Sequence, residues 1–141
     1  LVSRMNLLLW HYRLKATPGT RIVNVASAGF SLGYPHLDNL NLEGNIAFRS
    51  LKAYCRSKLA QMLFTHELAK RFKQSGTQIT VYALHPGVVR TDIIRQFSPI
   101  ARALIWTGIL ICTTSPEMGA QTSLHCAFNE DAGRESGLYY E

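Results

Sequence analysis

The sequence predicts an α/β fold built on a parallel sheet, and three observations carry that prediction. They are a short β-branched run over Arg21–Val25, a long segment of helical periodicity over Arg49–Lys73, and a second strand-like run over Gln78–Leu84. Strand, helix and strand in that order make a βαβ unit, whose crossover lays the two strands parallel.

Each element has its own signal. Leu1–Lys15 carries Leu7, Leu8, Leu9, Trp10 and Leu14 and stops at Thr17-Pro18-Gly19, which predicts a helix followed by a turn. Arg21–Val25 reads as a buried strand that ends in the small residues Ala26-Ser27-Ala28-Gly29, where a ligand has room to approach. Ser31–Asn45 holds Gly, Pro, Asp and Asn without periodicity and predicts a loop, long enough to suggest function. In Arg49–Lys73, Leu59, Met62, Leu63 and Phe72 fall on an apolar side and Tyr54, Lys58 and Thr65 on another, with Ser75-Gly76 as the stop. Pro99–Ile111 predicts an apolar helix. Ser115-Pro116-Glu117 predicts a capped helix start running to about Phe128, and Gly137–Tyr140 a third strand.

Composition narrows the classes. The 141 residues carry a formal net charge of +6. Arg and Lys are scattered rather than gathered into a stripe interleaved with aromatics, which argues against nucleic acid as a partner. Cys55, Cys112 and Cys126 are odd in number and form no C-x-x-C, so neither a disulfide framework nor a zinc site is expected, and a reducing compartment fits. His11, His36, His66 and His125 lack ligand spacing, and His85 after a strand reads as structural, so no metal is assigned. The apolar stretch Ala103–Thr113 is too short to span a bilayer, and Met5–Trp10 is too short for a signal peptide. A start at Leu1 and a strand-like end at Glu141 suggest a single partial domain over 1–141, part of something longer.

The most specific chemistry lies in Tyr54-Cys55-Arg56-Ser57-Lys58. Residues i and i+4 of a helix share a face, so the phenol of Tyr54 and the ammonium of Lys58 can enter one cavity. A fixed positive charge beside a phenol favours phenolate, which suits proton exchange with an alcohol or carbonyl oxygen. Such a pair is common on ordinary helix surfaces, and a serine after a strand is commonly a turn residue. Their convergence decides the reading: in parallel sheets ligands bind at the carboxyl ends of strands, where Ser27, Pro86-Gly87 and the amino-terminal part of the long helix all fall.

Arg21-Ile22-Val23-Asn24-Val25-Ala26-Ser27, Tyr54 to Lys58, and His85-Pro86-Gly87-Val88-Val89-Arg90-Thr91, in that order and spacing, resemble the short-chain dehydrogenases/reductases. Ala53–Ala60, Leu63-Phe64-Thr65, Glu67–Lys70 and Gly119-Ala120-Gln121-Thr122 are most similar to the retinol dehydrogenase branch. The resemblance covers nearly the whole chain and corresponds to the family's carboxyl-terminal half. It implies a partial Rossmann-type doubly wound parallel sheet whose amino-terminal dinucleotide-binding half is missing. It also implies NAD(P)-dependent redox chemistry on retinoids or other lipophilic alcohols and carbonyls. NADP is the usual cofactor, NAD the alternative, and the location the cytoplasm or the cytoplasmic face of the endoplasmic reticulum.

By that resemblance Ser27 hydrogen-bonds the substrate oxygen, Tyr54 exchanges its proton, and Lys58 tunes Tyr54 and holds the nicotinamide ribose. Tyr54, Lys58, Pro86, Gly87, Val88 and Thr91 then make up the cofactor-facing set. Ile100–Cys112 matches a lid over the substrate, hinged on Asp92, Arg95 and Gln96, and an ordinary core helix would read the same. Ile105, Trp106 and Leu110 also suit peripheral membrane contact, and Leu63 and Phe64 either a homodimer interface or packing beneath the sheet. The family's G-x-x-x-G-x-G and N-N-A-G are absent from the 141 residues. Without the first there is no pyrophosphate cradle, and the competing expectation is a non-catalytic fragment unable to hold the dinucleotide, an interaction or dimer-forming remnant.

Overall fold

A computed structural model describes residues 13–35, 37–39, 42–43, 49–89 and 114–141. The expected Pro99–Ile111 helix, Thr91, Cys112 and most of the expected Leu1–Lys15 helix lie outside them, although residues 13–16 are helical. Three parallel strands, β1 (Arg21–Val25), β2 (Thr80–Leu84) and β3 (Tyr139–Tyr140), stand in the order β1-β2-β3. Helix α1 (Arg49–Gln74) connects β1 to β2, and helix α2 (Pro116–Phe128) precedes β3.

Side chains alternate across a strand, so each strand feeds two cores. On one face Ile22 and Val81 pack with Leu68, Ala69 and Phe72 of α1, and with Ile79 and Leu14. On the other, Val23, Tyr82, Leu84 and Tyr140 pack with Cys126 of α2. Helices on both faces explain why Gln78–Leu84 alternates so weakly: Val81, Tyr82, Ala83 and Leu84 are all fully buried, as in any central parallel strand. Burying a side chain such as Leu84 contributes about 1.5–3 kcal/mol.

Helix ends follow local chemistry. After α1 the Thr77 amide donates to the Phe72 carbonyl and that of Gly76 to Lys73, with Gly76 at φ +66°. This is a Schellman closure that requires the left-handed conformation glycine adopts freely. Helix α2 starts as expected, with Ser115 Oγ accepting from the Met118 amide and Pro116 in the first turn. At its other end the Arg21 guanidinium donates to the carbonyls of Cys126 and Asn129 at 3.2 and 2.7 Å, a cation at the negative pole of the helix.

The apolar side of α1 differs from expectation. Leu63 is 56% exposed, whereas Thr65 is buried along with Cys55, Ala69 and Phe72. The polar Thr65 is tolerated because its hydroxyl donates to the Gln61 carbonyl and accepts from Asn24 Nδ2 of β1, each at 2.9 Å. The expected loop from Ser31 is also more regular, since Ala28–Leu32 is a 3₁₀ turn capped by Ser27.

Candidate active site

The sheet's carboxyl rim positions the site. Val25 pairs with Leu84 and Leu84 with Tyr140, and the ladder continues through Ala26 N–H to Leu84 O at 2.7 Å and His85 N–H to Tyr140 O at 2.8 Å. Ser27 and Pro86 therefore leave adjacent strands at the same level.

Ser27 has extended backbone (φ −170°), and its Oγ accepts from the Gly29 amide at 3.2 Å, which fixes the 3₁₀ turn that follows. That turn sits against α1. A Cβ at Gly33 would fall 2.7 Å from the Cys55 carbonyl and 2.8 Å from Leu59 Cβ, so only a residue without a side chain allows the approach. Phe30 lies edge-on to Tyr139, with ring centroids 5.1 Å apart. The turn thus reaches from the end of β1 toward the β3 edge.

Tyr54 and Lys58 stand on consecutive turns of α1, both half-buried. The Lys58 ammonium lies 5.7 Å from the centre of the Tyr54 ring. It donates to the Val25 carbonyl at 2.9 Å and to Gln61 Oε1 at 3.4 Å. Burial holds its pKa below the ordinary lysine value, because a desolvated ammonium is disfavoured. Ser27, Tyr54 and Lys58 are therefore gathered around the end of β1.

Beside them, Pro86–Val88 emerges from β2. Gly87 has φ +79°, and among the described residues a Cβ there would meet only Thr114 Oγ1, at 3.5 Å. The Val88 carbonyl accepts from the Thr114 amide at 3.0 Å, and Val89 bridges Thr114 in parallel fashion. Gly119 of α2 lets this loop settle, since a Cβ there would overlap Val89 and stand 3.2 Å from the Pro86 carbonyl. Thr91 lies outside the described residues.

The sequence reading missed Asn24, Gln61 and Gly29. The signal was present: Tyr54, Lys58, Gln61 and Thr65 follow i, i+4, i+7, i+11, a polar stripe aimed at a strand that itself carries Asn24. Among the described residues no cluster of His, Cys, Asp or Glu could hold a metal ion, and no helix is long and apolar enough to cross a membrane.

Comparison with known proteins relates this rim to a family. Residues 41–100 match the model of the short chain dehydrogenase family. Retinol dehydrogenase 11 of Mus musculus is 44% identical over 91% of the chain, and retinol dehydrogenase 12 of Homo sapiens 43% over the same share. Retinol dehydrogenase 13 of Homo sapiens is 38% identical over 96%. The chain spans about two fifths of the length of these relatives, 39% for the first. An uncharacterised protein from Mycobacterium paratuberculosis superposes with a TM-score of 0.59 at 26% identity, over 85% of this chain and 36% of that one. BdcA in complex with NADPH superposes at 0.58 with 23% identity, over 87% and 44%, and shows the likeness of fold alone. Over the residues matched, the chain is similar to the short-chain dehydrogenases/reductases, the retinol dehydrogenases among them, and its parallel sheet with helices is that of a partial Rossmann-type α/β fold.

Proposed function

We propose that this chain carries the proton-transfer centre and the nicotinamide-facing rim of an NAD(P)-dependent oxidoreductase that interconverts a lipophilic, retinoid-like alcohol and its carbonyl. The observation that carries the reading is the gathering of Ser27, Tyr54 and Lys58 at the end of β1, with Gly87 open on the neighbouring strand. The retinol dehydrogenase names of the relatives support the substrate class.

The residues present suit the nicotinamide end of such a cofactor. Gly87 leaves backbone accessible where a side chain would stand, and Lys58 brings three ammonium donors to the same rim. Pro86, Gly87 and Val88, with Thr91, would hold the nicotinamide, and Lys58 the ribose hydroxyls, after exchanging the Val25 carbonyl for them. A bound nicotinamide dinucleotide supplies or accepts the hydride at the substrate carbon. Ser27 donates a hydrogen bond to the substrate oxygen, its own acceptor side being occupied by the Gly29 amide. Tyr54 then gives its phenolic proton to that oxygen during reduction and takes it back during oxidation. NADP is the cofactor proposed and NAD the alternative. Peripheral contact with the cytoplasmic face of the endoplasmic reticulum, a homodimer using the exposed Leu63 side of α1, and the extent of the chain as one partial domain belong to the same proposal.

Tyr54→Phe removes the transferable proton and little else. Turnover of a retinoid-type aldehyde should fall by about 100-fold to 10,000-fold, while NADPH binding followed by tryptophan fluorescence stays as in the parent. Unchanged turnover overturns the assignment. The absence of a glycine-rich phosphate turn from the 141 residues favours a second reading, a non-catalytic chain that does not hold the dinucleotide. Saturable NADPH binding at micromolar concentration defeats it.

A further inference from the structure

We infer that Gly29 is a positioning residue for Ser27 and Tyr54, setting the separation between the strand end that carries the hydroxyl and the helix that carries the phenol. The inference rests on the reading of Ser27 and Tyr54 as the proton-transfer pair. The Gly29 amide donates to Ser27 Oγ at 3.2 Å, which leaves the hydroxyl's own proton to point elsewhere. The alpha carbon of Gly29 faces the phenol: a Cβ there would stand 3.3 Å from Tyr54 Cε1, 3.5 Å from Ser27 Oγ and 3.7 Å from Cys55 Sγ. Gly29 is not among the glycines with positive φ, so what opposes a side chain is space rather than backbone conformation. Of the three neighbours only the Tyr54 ring stands closer than ordinary contact and would have to give by a few tenths of an ångström; Ser27 Oγ and the thiol of Cys55 would stand at van der Waals distance and hem the new atom in. That thiol is 3% exposed and has little room to retreat. One atom added at Gly29 therefore pushes on the phenol, against a hydroxyl already at contact distance, leaving the cofactor-facing Pro86–Val88 loop on the next strand untouched.

The test uses Gly29→Ala in the full chain with two readouts. In steady-state reduction of a retinoid-type aldehyde, kcat should drop about tenfold, since displacements of a fraction of an ångström at reacting groups are felt steeply, with KM for NADPH unchanged. Leu32→Ala, 77% exposed in the same turn, should leave both constants at parent values. In the second readout, thermal midpoints are measured for Gly29→Ala in the parent and in a Tyr54→Ala background. The midpoint loss should shrink once the ring is gone, and a Gly29→Ala chain too unstable to assay should be rescued by Tyr54→Ala. An equal loss in both backgrounds overturns the inference, as does an unchanged kcat. A parent that binds NADPH but turns over no aldehyde refutes the function while the midpoint cycle still decides the contact.

Discussion

Tyr54, Ser27 and Lys58 were legible because each is a distinctive residue at a distinctive place: a phenol and an ammonium one turn apart, and a serine past a β-branched strand. What the sequence did not show is how Lys58 is engaged, since its bond to the Val25 carbonyl depends on where the crossover helix lands on the sheet. That engagement makes a prediction. Burial lowers the Lys58 pKa from 10.5, so its charge costs folding stability below the folded-state pKa, and the cost fades as pH rises toward 10.5. Lys58→Met should abolish turnover yet keep or raise the thermal midpoint at pH 7; a clear fall would mean that the Val25 bond outweighs the desolvation. Tyr140 titrates with the opposite consequence. Burial first, then its 2.8 Å bond to Glu135, push its phenol up to about 12. Its contribution to stability is present below the unfolded value of about 10 and is lost as pH rises through 12. Tyr140→Phe keeps the ring against Tyr82 and His125 and should flatten the loss of stability above pH 10 in alkaline melts. An unaltered slope would assign that loss to other groups.

At the scale of elements, boundaries marked by a specific side chain or glycine read well. Ser115-Pro116 opened α2 where expected, and Gly76 closed α1 within a residue of it. The faces of α1 read less well. An apolar Leu63 is exposed and a polar Thr65 buried because what Thr65 meets, Asn24, comes from a strand 41 residues away, and no window of helix sequence contains that information. The 3₁₀ turn after Ser27 was missed for a related reason: a hydroxyl capping its own turn and a glycine fitted against Cys55 are settled by the approach of α1. The Schellman glycine supplies a prediction at this scale. Gly76→Ala must place a Cβ at φ +66°, in open space, so the cost is conformational alone, about 1 kcal/mol. Urea denaturation should show that loss with an unchanged m-value. A neutral result would mean that the helix end relaxes to another closure.

On the scale of the whole molecule, β2 joins the two cores, and the same strand order that buries it on both faces brings Ser27 and Pro86–Val88 to one rim. This coupling of stability to site geometry was legible in outline from the βαβ order. What the rim offers a dinucleotide is lopsided. In the proposed reading Lys58 and the backbone of Gly87 would address the nicotinamide and its ribose, and no glycine-rich turn for a pyrophosphate occurs in the 141 residues. Binding by this chain should therefore depend on the nicotinamide mononucleotide moiety and gain little from the adenosine phosphate beyond it, because the 141 residues carry no glycine-rich turn of the kind that receives a pyrophosphate's charge. Reduced nicotinamide mononucleotide should displace NADPH from the chain at comparable concentrations, read by competition fluorescence. If NADPH binds more than about tenfold tighter, a difference of 1.4 kcal/mol, then residues in the chain engage the pyrophosphate or the adenosine, and the amides that do so have to be sought beyond Pro86–Val88 and α1.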